Sequence, residues 1–423
     1  MINRLNIYKF GGASIKNAEG LKNLASIVKK YGKKPLLIVV SAMGKNTNAL
    51  EELTYLAFNN QDYSQQYQNL QDFHLQIVGE LFTQDTHRVY ADLQQSFDQL
   101  QDLFKNENLR LDYGMYYDQI VSHGEILSSL IVNHYLIKSG LKSKWLDARE
   151  VIKTDEAFRE GKVDWAVTAN LIKENVSPML EKHIVLTQGF IGSSLTNMTT
   201  TLGREGSDFT AAIFATCLDA EAVTIWKDVP GILNADPKLI AATIKFDELS
   251  YNEAAEMTYY GAQVIHPKTI KPLANKNIPL WVKSFENPED EGTIIHQMEH
   301  RQLPPTIVFK FNQYLLSFHV RDLTFIDEKN LSVIFHALDR LNIRINLMQN
   351  SAVSFSICID FHEKKIAELV KALQHVFDIR YNQSLTLITV KNYDQQSIDG
   401  LSEGKNILLE QRTRNTFQIV VEG

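Results

Sequence analysis

Three glycine-bearing junctions in this sequence carry the residue types that phosphoryl chemistry needs. The first, Lys9-Phe10-Gly11-Gly12-Ala13-Ser14, closes the apolar run Leu5–Phe10. Paired glycines let backbone N–H groups approach an anion closely, and Lys9 adds a mobile positive charge. Taken alone, the same residues serve equally well as a plain tight turn. The second junction is Val39-Val40-Ser41-Ala42-Met43-Gly44, followed by Thr47. Its hydroxyls could line a small pocket, although capping of the next helix is the simpler use for them. The third, Thr201-Leu202-Gly203-Arg204-Glu205-Gly206-Ser207-Asp208, is the most informative. An arginine between glycines has its guanidinium free to grip a carboxylate in bidentate fashion. Asp208 stands at a helix start, where an anion is stabilised; Ser207 or Asp208 could also simply cap that helix. The P-loop pattern G-x-x-x-x-G-K-[ST] is absent from the sequence.

The junctions need a scaffold, and the flanking pattern supplies one. Leu5–Phe10, Pro35–Val40, Ser143–Leu146, Ile184–Thr187, Ala222–Trp226 and Pro279–Val282 read as strands. Helical spacing appears over Ala18–Tyr31, Gln119–Lys138, Asp208–Ala215 and Asn252–Tyr260. Continuous apolar strands alternating with amphipathic helices predict an α/β sandwich with a mainly parallel sheet. Residues 49–112, rich in Gln and Asp with Leu and Phe at helical spacing, predict a helical insertion in the form of a hairpin. Near Pro288–Pro305 the pattern breaks, and a new cycle begins. Strand Tyr314–Val320, helix Leu331–Leu341, strands Ile343–Gln349 and Val353–Ile359, helix Glu363–Val376 and strand Thr386–Val390 give the order β-α-β-β-α-β. That order is the ferredoxin-like unit. The domains expected are therefore 1–300 and 306–423.

Composition narrows the function classes. The 423 residues exceed one ordinary core, and 44% apolar with 22% charged residues is the balance of a globular chain. A net charge of −7 without a basic block argues against nucleic acid or an anionic membrane as partner. No apolar run approaches the ~20 residues of a membrane span. Cys217 and Cys358 stand apart in apolar stretches, which fits buried free thiols in a reducing compartment. Met-Ile-Asn-Arg leads directly into the first strand, so the expectation is a cytoplasmic chain without a signal peptide.

Seven segments in register resemble the aspartate kinases. They are Lys9–Ser14, Val39–Asn48, Val121-Ser122-His123-Gly124-Glu125, Thr187-Gln188-Gly189-Phe190, Leu202–Asp208, Trp226-Lys227-Asp228-Val229-Pro230-Gly231-Ile232 and Gly261–Pro267. The resemblance implies an amino-acid-kinase-like three-layer sandwich and transfer of the γ-phosphoryl group of ATP, with Mg²⁺, to the β-carboxylate of L-aspartate. It implies that Lys9 neutralises the transferring group and that Asp208 orients Lys9. Arg204 would bind the α-carboxylate of aspartate and Glu125 its ammonium, with Ser41, Thr47, Phe190 and Ser207 completing the substrate pocket. Gly11, Gly12, Lys227, Asp228, Leu233, Lys238 and Gln263 would contact the nucleotide. The attacking carboxylate is already ionised at neutral pH, so no strong general base is required. Magnesium would travel with the phosphates, so no protein metal site is expected, and His123 and His266 are read as structural.

The sequence departs from the family pattern at several positions. Glu205 replaces a glycine of Gly-Arg-Gly-Gly-Ser-Asp, and its carboxylate is expected to face solvent or a basic neighbour. Lys227, Leu233, Lys238 and Gln263 differ from the residues usual at the nucleotide, which predicts altered ATP affinity. The C-terminal region resembles a pair of ACT regulatory units with the second reduced, its helix replaced by a short turn after Leu385. That resemblance implies a homodimer and lysine or threonine as effector. With the chain closing at Gly423, a monofunctional kinase is expected. A non-catalytic binding paralogue, or a kinase of another small amino acid, remain the alternatives.

Overall fold

The computed structural model describes residues 5–82, 87–262, 265–299, 303–321 and 324–422. They form two compact units. One comprises Met1–Ile232, Lys245–Ala255 and Val264–Glu299; the other comprises Leu233–Ile244, Glu256–Gln263 and His300–Gly423.

The first unit is built on an eight-stranded sheet. Its spatial order is Ser143–Leu146, Ile184–Gln188, Leu36–Val40, Asn6–Phe10, Ala222–Lys227, Leu280–Ser284, Thr293–His296 and Glu248–Ser250. Neighbours run parallel except at the Leu280–Ser284/Thr293–His296 pair. Leu-Leu-Ile-Val-Val at 36–40 is buried at all five positions, as a strand covered on both faces must be. Each such side chain contributes about 1.5–3 kcal/mol of transfer free energy, so this strand is a strong organiser of the core. Phe10 and Trp226, on adjacent strands, stack with centroids 6.1 Å apart and planes 5° from parallel. Lys9 is level with Val39 on one side and Ile225 on the other, so three strand ends open onto one edge. Ligand sites in open parallel sheets form at such an edge.

The insertion is three helices rather than a hairpin: Asn46–Phe58, Ser64–Leu81 and Arg88–Lys105. Most of its aromatics pack against core, Tyr55 being exposed; Leu93, Phe97, Leu100 and Phe104 are all buried along one face of the last helix. The pattern read as one helix over 119–138 is divided at Ser122 into Tyr113–Val121 and His123–Lys138. Gly124 is the reason the second of these can dock. A Cβ there would lie 3.0 Å from both Ala42 Cβ and Leu50 Cδ1. The close approach brings Glu125 within reach of the 41–44 turn.

The second unit carries a six-stranded antiparallel sheet in the order Ile345–Asn350, Ser354–Asp360, Thr306–Val320, Phe377–Lys391, Thr416–Glu422, Ile407–Arg412. Its two central strands are each 15 residues long. The reading saw only half of each, because Phe311-Asn312-Gln313 breaks the alternation. Asn312 has φ 54°, and the ladder shifts register on either side of Gln313. Each half serves a different core. One gathers Phe318, Ile357, Leu369 and Phe377 under helices Glu328–Arg340 and Glu363–Leu373. The other gathers Ile388, Val390, Phe417 and Ile419 with Ile398 of a further helix, Gln395–Ser402. That helix corrects the expected short turn. Only Ile398 and Leu401 give it apolar period, but Asp394 and Ser397 form a reciprocal capping box that starts it firmly. The architecture is an α/β sandwich with a mainly parallel sheet, followed by a ferredoxin-like, ACT-type α+β region.

Candidate active site

Lys9 lies at the end of its strand, 8% exposed, and its ammonium meets the Asp208 carboxylate at 2.6 Å. Asp208 occupies the first turn of the helix Gly206–Cys217 and is 3% exposed. Burial alone would raise its pKa, but the charges of Lys9 and Lys227 outweigh that effect and hold it below the ordinary carboxylate range. The site therefore keeps a fixed negative charge between two lysines. Lys227 is the last residue of the strand Ala222–Lys227.

Gly11 and Gly12 form the turn that follows Lys9. A Cβ on Gly12 would meet the Ala42 carbonyl oxygen at 2.5 Å, and the Gly12 carbonyl accepts the Gly44 N–H at 3.0 Å. The first two junctions are thus packed against one another. Ser41 is held through its carbonyl, which accepts the Ser128 hydroxyl at 2.7 Å.

Glu125 is the unusual group. It is 3% exposed, and its Oε1 accepts the Ala42 N–H at 3.1 Å. Its Oε2 is buried with no hydrogen-bond partner among the described residues. Burial raises the Glu125 pKa to about 8, against the opposing pull of the Ala42 N–H and the Lys9 charge. An orphaned buried carboxylate oxygen of this kind is costly unless a donor arrives.

The third junction closes the pocket. Phe190 adopts φ 68°; its N–H donates to Thr210 Oγ1 at 3.0 Å and its carbonyl accepts Leu202 N–H at 2.8 Å. Glu205, at φ 54°, takes a left-handed conformation that a glycine would adopt freely. Its carboxylate accepts the His266 backbone N–H at 2.9 Å, and the half-buried residue also lines the pocket. Arg204 is exposed and makes no ion pair among the described residues.

A single cavity of about 770 Å³ brings these groups together. Lys9, Ser41, Thr47, Glu125, Phe190, Arg204, Ser207, Asp208 and Lys227 all line it. Asp228 is exposed one residue beyond Lys227. Leu233 and Lys238 fall within the second unit, and Gln263 lies outside the described residues. Also on the wall are Thr201, the first residue of the third junction, and Glu51, Tyr117, Arg159 and Glu160, none of which the sequence reading singled out. His123 is buried beside Ser96 Oγ at 3.3 Å, and burial lowers its pKa to about 3, so it is a neutral core residue. His266 caps the helix Pro267–Asn275, its Nδ1 accepting the Lys268 N–H. Among the described residues no group of three or more His, Cys, Asp or Glu is arranged to hold a metal ion.

Comparison with known proteins fits this geometry. Residues 4–284 match the family model described as the amino acid kinase family. The chain belongs to that family. Among the family's members it is similar to the lysine-sensitive aspartokinase 3 of Escherichia coli, 39% identical over 245 residues, spanning 57% of this chain and 54% of the relative. It is also similar to the chloroplastic aspartokinase 1 of Arabidopsis thaliana, 31% identical over 384 residues, spanning 88% and 66%. The chain thus spans about half to two thirds of the length of these curated relatives. Among solved structures, E. coli aspartokinase III in complex with aspartate and ADP aligns with a TM-score of 0.83 at 28% identity. The alignment covers 99% of this chain and 96% of that one. No helix among the described residues is long and apolar enough to cross a membrane.

Proposed function

We propose that this chain is an aspartate kinase, transferring the γ-phosphoryl group of ATP to the β-carboxylate of L-aspartate. The observation that carries the reading is the one cavity holding a buried lysine, an unpaired guanidinium and a buried carboxylate with a vacant acceptor oxygen. Those three groups complement a phosphate, an α-carboxylate and an α-ammonium. Likeness to aspartokinases, one of them solved with aspartate and ADP, supports the same assignment.

The chemistry asks little of the protein beyond placement. The carboxylate nucleophile is ionised at neutral pH, so the rate depends on in-line positioning and on offsetting phosphate charge. Arg204 grips the α-carboxylate, and Glu125 accepts from the ammonium through Oε2. Lys9, held by Asp208, neutralises the transferring group. ATP enters as its magnesium complex, with phosphate oxygens and water as the ion's ligands. Lys227, whose charge also reaches Asp208, is assigned to the nucleotide. The buried free thiols Cys217 and Cys358 fit a cytoplasmic setting.

Purified protein with ATP, Mg²⁺ and an amino-acid panel tests the reading. Aspartyl hydroxamate should form on trapping with hydroxylamine. Its absence would sink the proposal, and faster turnover of glutamate would reassign the substrate. Thermal shift with lysine and with threonine tests the ACT-type unit as an effector site. Exposed Phe335, Met348 and Val353 give that unit an apolar surface, consistent with a homodimer, which sedimentation would show.

Glu125 makes a pH prediction. Below about pH 8 its carboxyl carries a proton in the empty pocket, yet an ammonium ligand requires the ionised form. Aspartate binding should therefore release a proton and tighten as pH rises from 6 to 8, by up to about tenfold per unit. Calorimetry at three pH values should show that slope for the wild type and a flat, weaker profile for Glu125→Gln. A flat wild-type profile would contradict the assignment.

A further inference from the structure

A second guanidinium reaches the same cavity. Arg159 lies between Phe158 and Glu160 with φ 72°, a left-handed conformation that residues with a side chain rarely take. Its N–H donates to Asp118 Oδ2 at 2.9 Å. Asp118 is fully buried and also accepts the Thr201 N–H at 2.8 Å and the Thr201 hydroxyl at 2.7 Å. A buried carboxylate with three donors thus pins the strained turn in place, which is the pattern expected where strain serves a site.

The side chain is held as deliberately as the backbone. The Arg159 guanidinium lies 4.6 Å above the Tyr117 ring and 6.0 Å from that of Tyr113. Tyr117 is fixed in turn, its hydroxyl donating to the Glu51 carboxylate. Stacking occupies the face of a guanidinium and leaves its N–H edge available. No carboxylate pairs with Arg159 among the described residues. Glu160, the acidic neighbour on the wall, has its Cγ packed where a Gly203 Cβ would stand, at 3.1 Å.

We propose that Arg159 is a second carboxylate-binding residue of this pocket, giving a dicarboxylic amino acid one guanidinium for each carboxylate. The inference rests on the aspartate kinase reading. Lys9 is matched by Asp208, and Arg204 serves the α-carboxylate, so the acceptor carboxylate otherwise has no planar fork to orient it. Arg159 is preorganised to provide that fork.

Arg159→Gly is the informative variant, because glycine adopts the observed backbone without strain. The aspartate KM should rise at least about tenfold and the ATP KM stay within twofold. The melting temperature should be unchanged or higher. Arg159→Lys, which keeps the charge but loses the fork, should fall between the two. An aspartate KM within twofold of wild type in Arg159→Gly would overturn the inference, as would an equal rise for ATP. Should the wild type form no aspartyl hydroxamate, the kinase reading fails by itself. Calorimetric binding of L-aspartate then decides on Arg159: an unchanged Kd in Arg159→Gly, or no binding to the wild type, overturns its role.

Discussion

Lys9→Met lowers the kcat for aspartyl phosphate by about 10²–10³-fold while L-aspartate still binds. That magnitude is typical of removing one charge-stabilising donor from a preorganised site. Two effects have to be separated. Lys9 and Asp208 form a buried pair at 2.6 Å, and breaking such a pair from one side costs about 3–5 kcal/mol of stability. The single variant should therefore melt lower as well as turn over more slowly. The double variant Lys9→Met/Asp208→Asn removes the stranded charge, so it should regain much of the melting temperature and none of the activity. Hydroxamate assays beside thermal denaturation of both variants read the two effects independently. More than a tenth of wild-type kcat surviving in Lys9→Met would remove Lys9 from the transfer step.

Arg204→Ala produces the second large effect, in binding rather than in rate. Hydrogen bonds to a charged group contribute about 1.5–3 kcal/mol, which corresponds to an aspartate KM roughly tenfold to a hundredfold higher. Arg204 is exposed and supports no other side chain, so the fold should be untouched. The ATP KM should stay within about threefold, since uniform loss of substrate binding moves one constant only. Steady-state kinetics with each substrate varied in turn gives both numbers. An equal increase for ATP and aspartate would place Arg204 at the phosphates instead.

How much of this was legible depended on the length of the signal. Pro35–Val40 announced itself by an unbroken apolar run and Ala18–Tyr31 by helical period, and the strand and helix found there match the reading to within a residue. Lys9, Arg204 and Asp208 stood out in their junctions, Glu125 and the roles of all four came through resemblance, and the fold supplied what residue type could not: the burial of Glu125 and its unpartnered Oε2. Of the acids on the cavity wall, Glu125 and Asp208 are the buried ones, and the lysine charges beside Asp208 against the burial of Glu125 separate their states. Arg159 escaped notice for a physical reason. Phe158-Arg159-Glu160-Gly161 reads as a solvated turn, and a positive φ on a residue other than glycine leaves no mark in composition. The helix Gln395–Ser402 was missed because two turns with two apolar residues fall below what periodicity can resolve.

Asp118 has a mechanical consequence. Its carboxylate joins the helix Tyr113–Val121 to the strand Thr199–Thr201 and to the turn at Arg159 through three donated hydrogens. One wall of the cavity and the approach to the Gly203-Arg204 corner therefore meet at one joint, centred on Asp118 and shared with Gln119, which bonds Thr199, and with Gly161, whose N–H donates to the Thr201 carbonyl. Such a joint opens as one event or not at all, so the amide hydrogens of Arg159 and Thr201 should exchange with deuterium at a shared opening free energy. Loosening Asp118 would blur the pocket on both sides at once, although it touches no ligand.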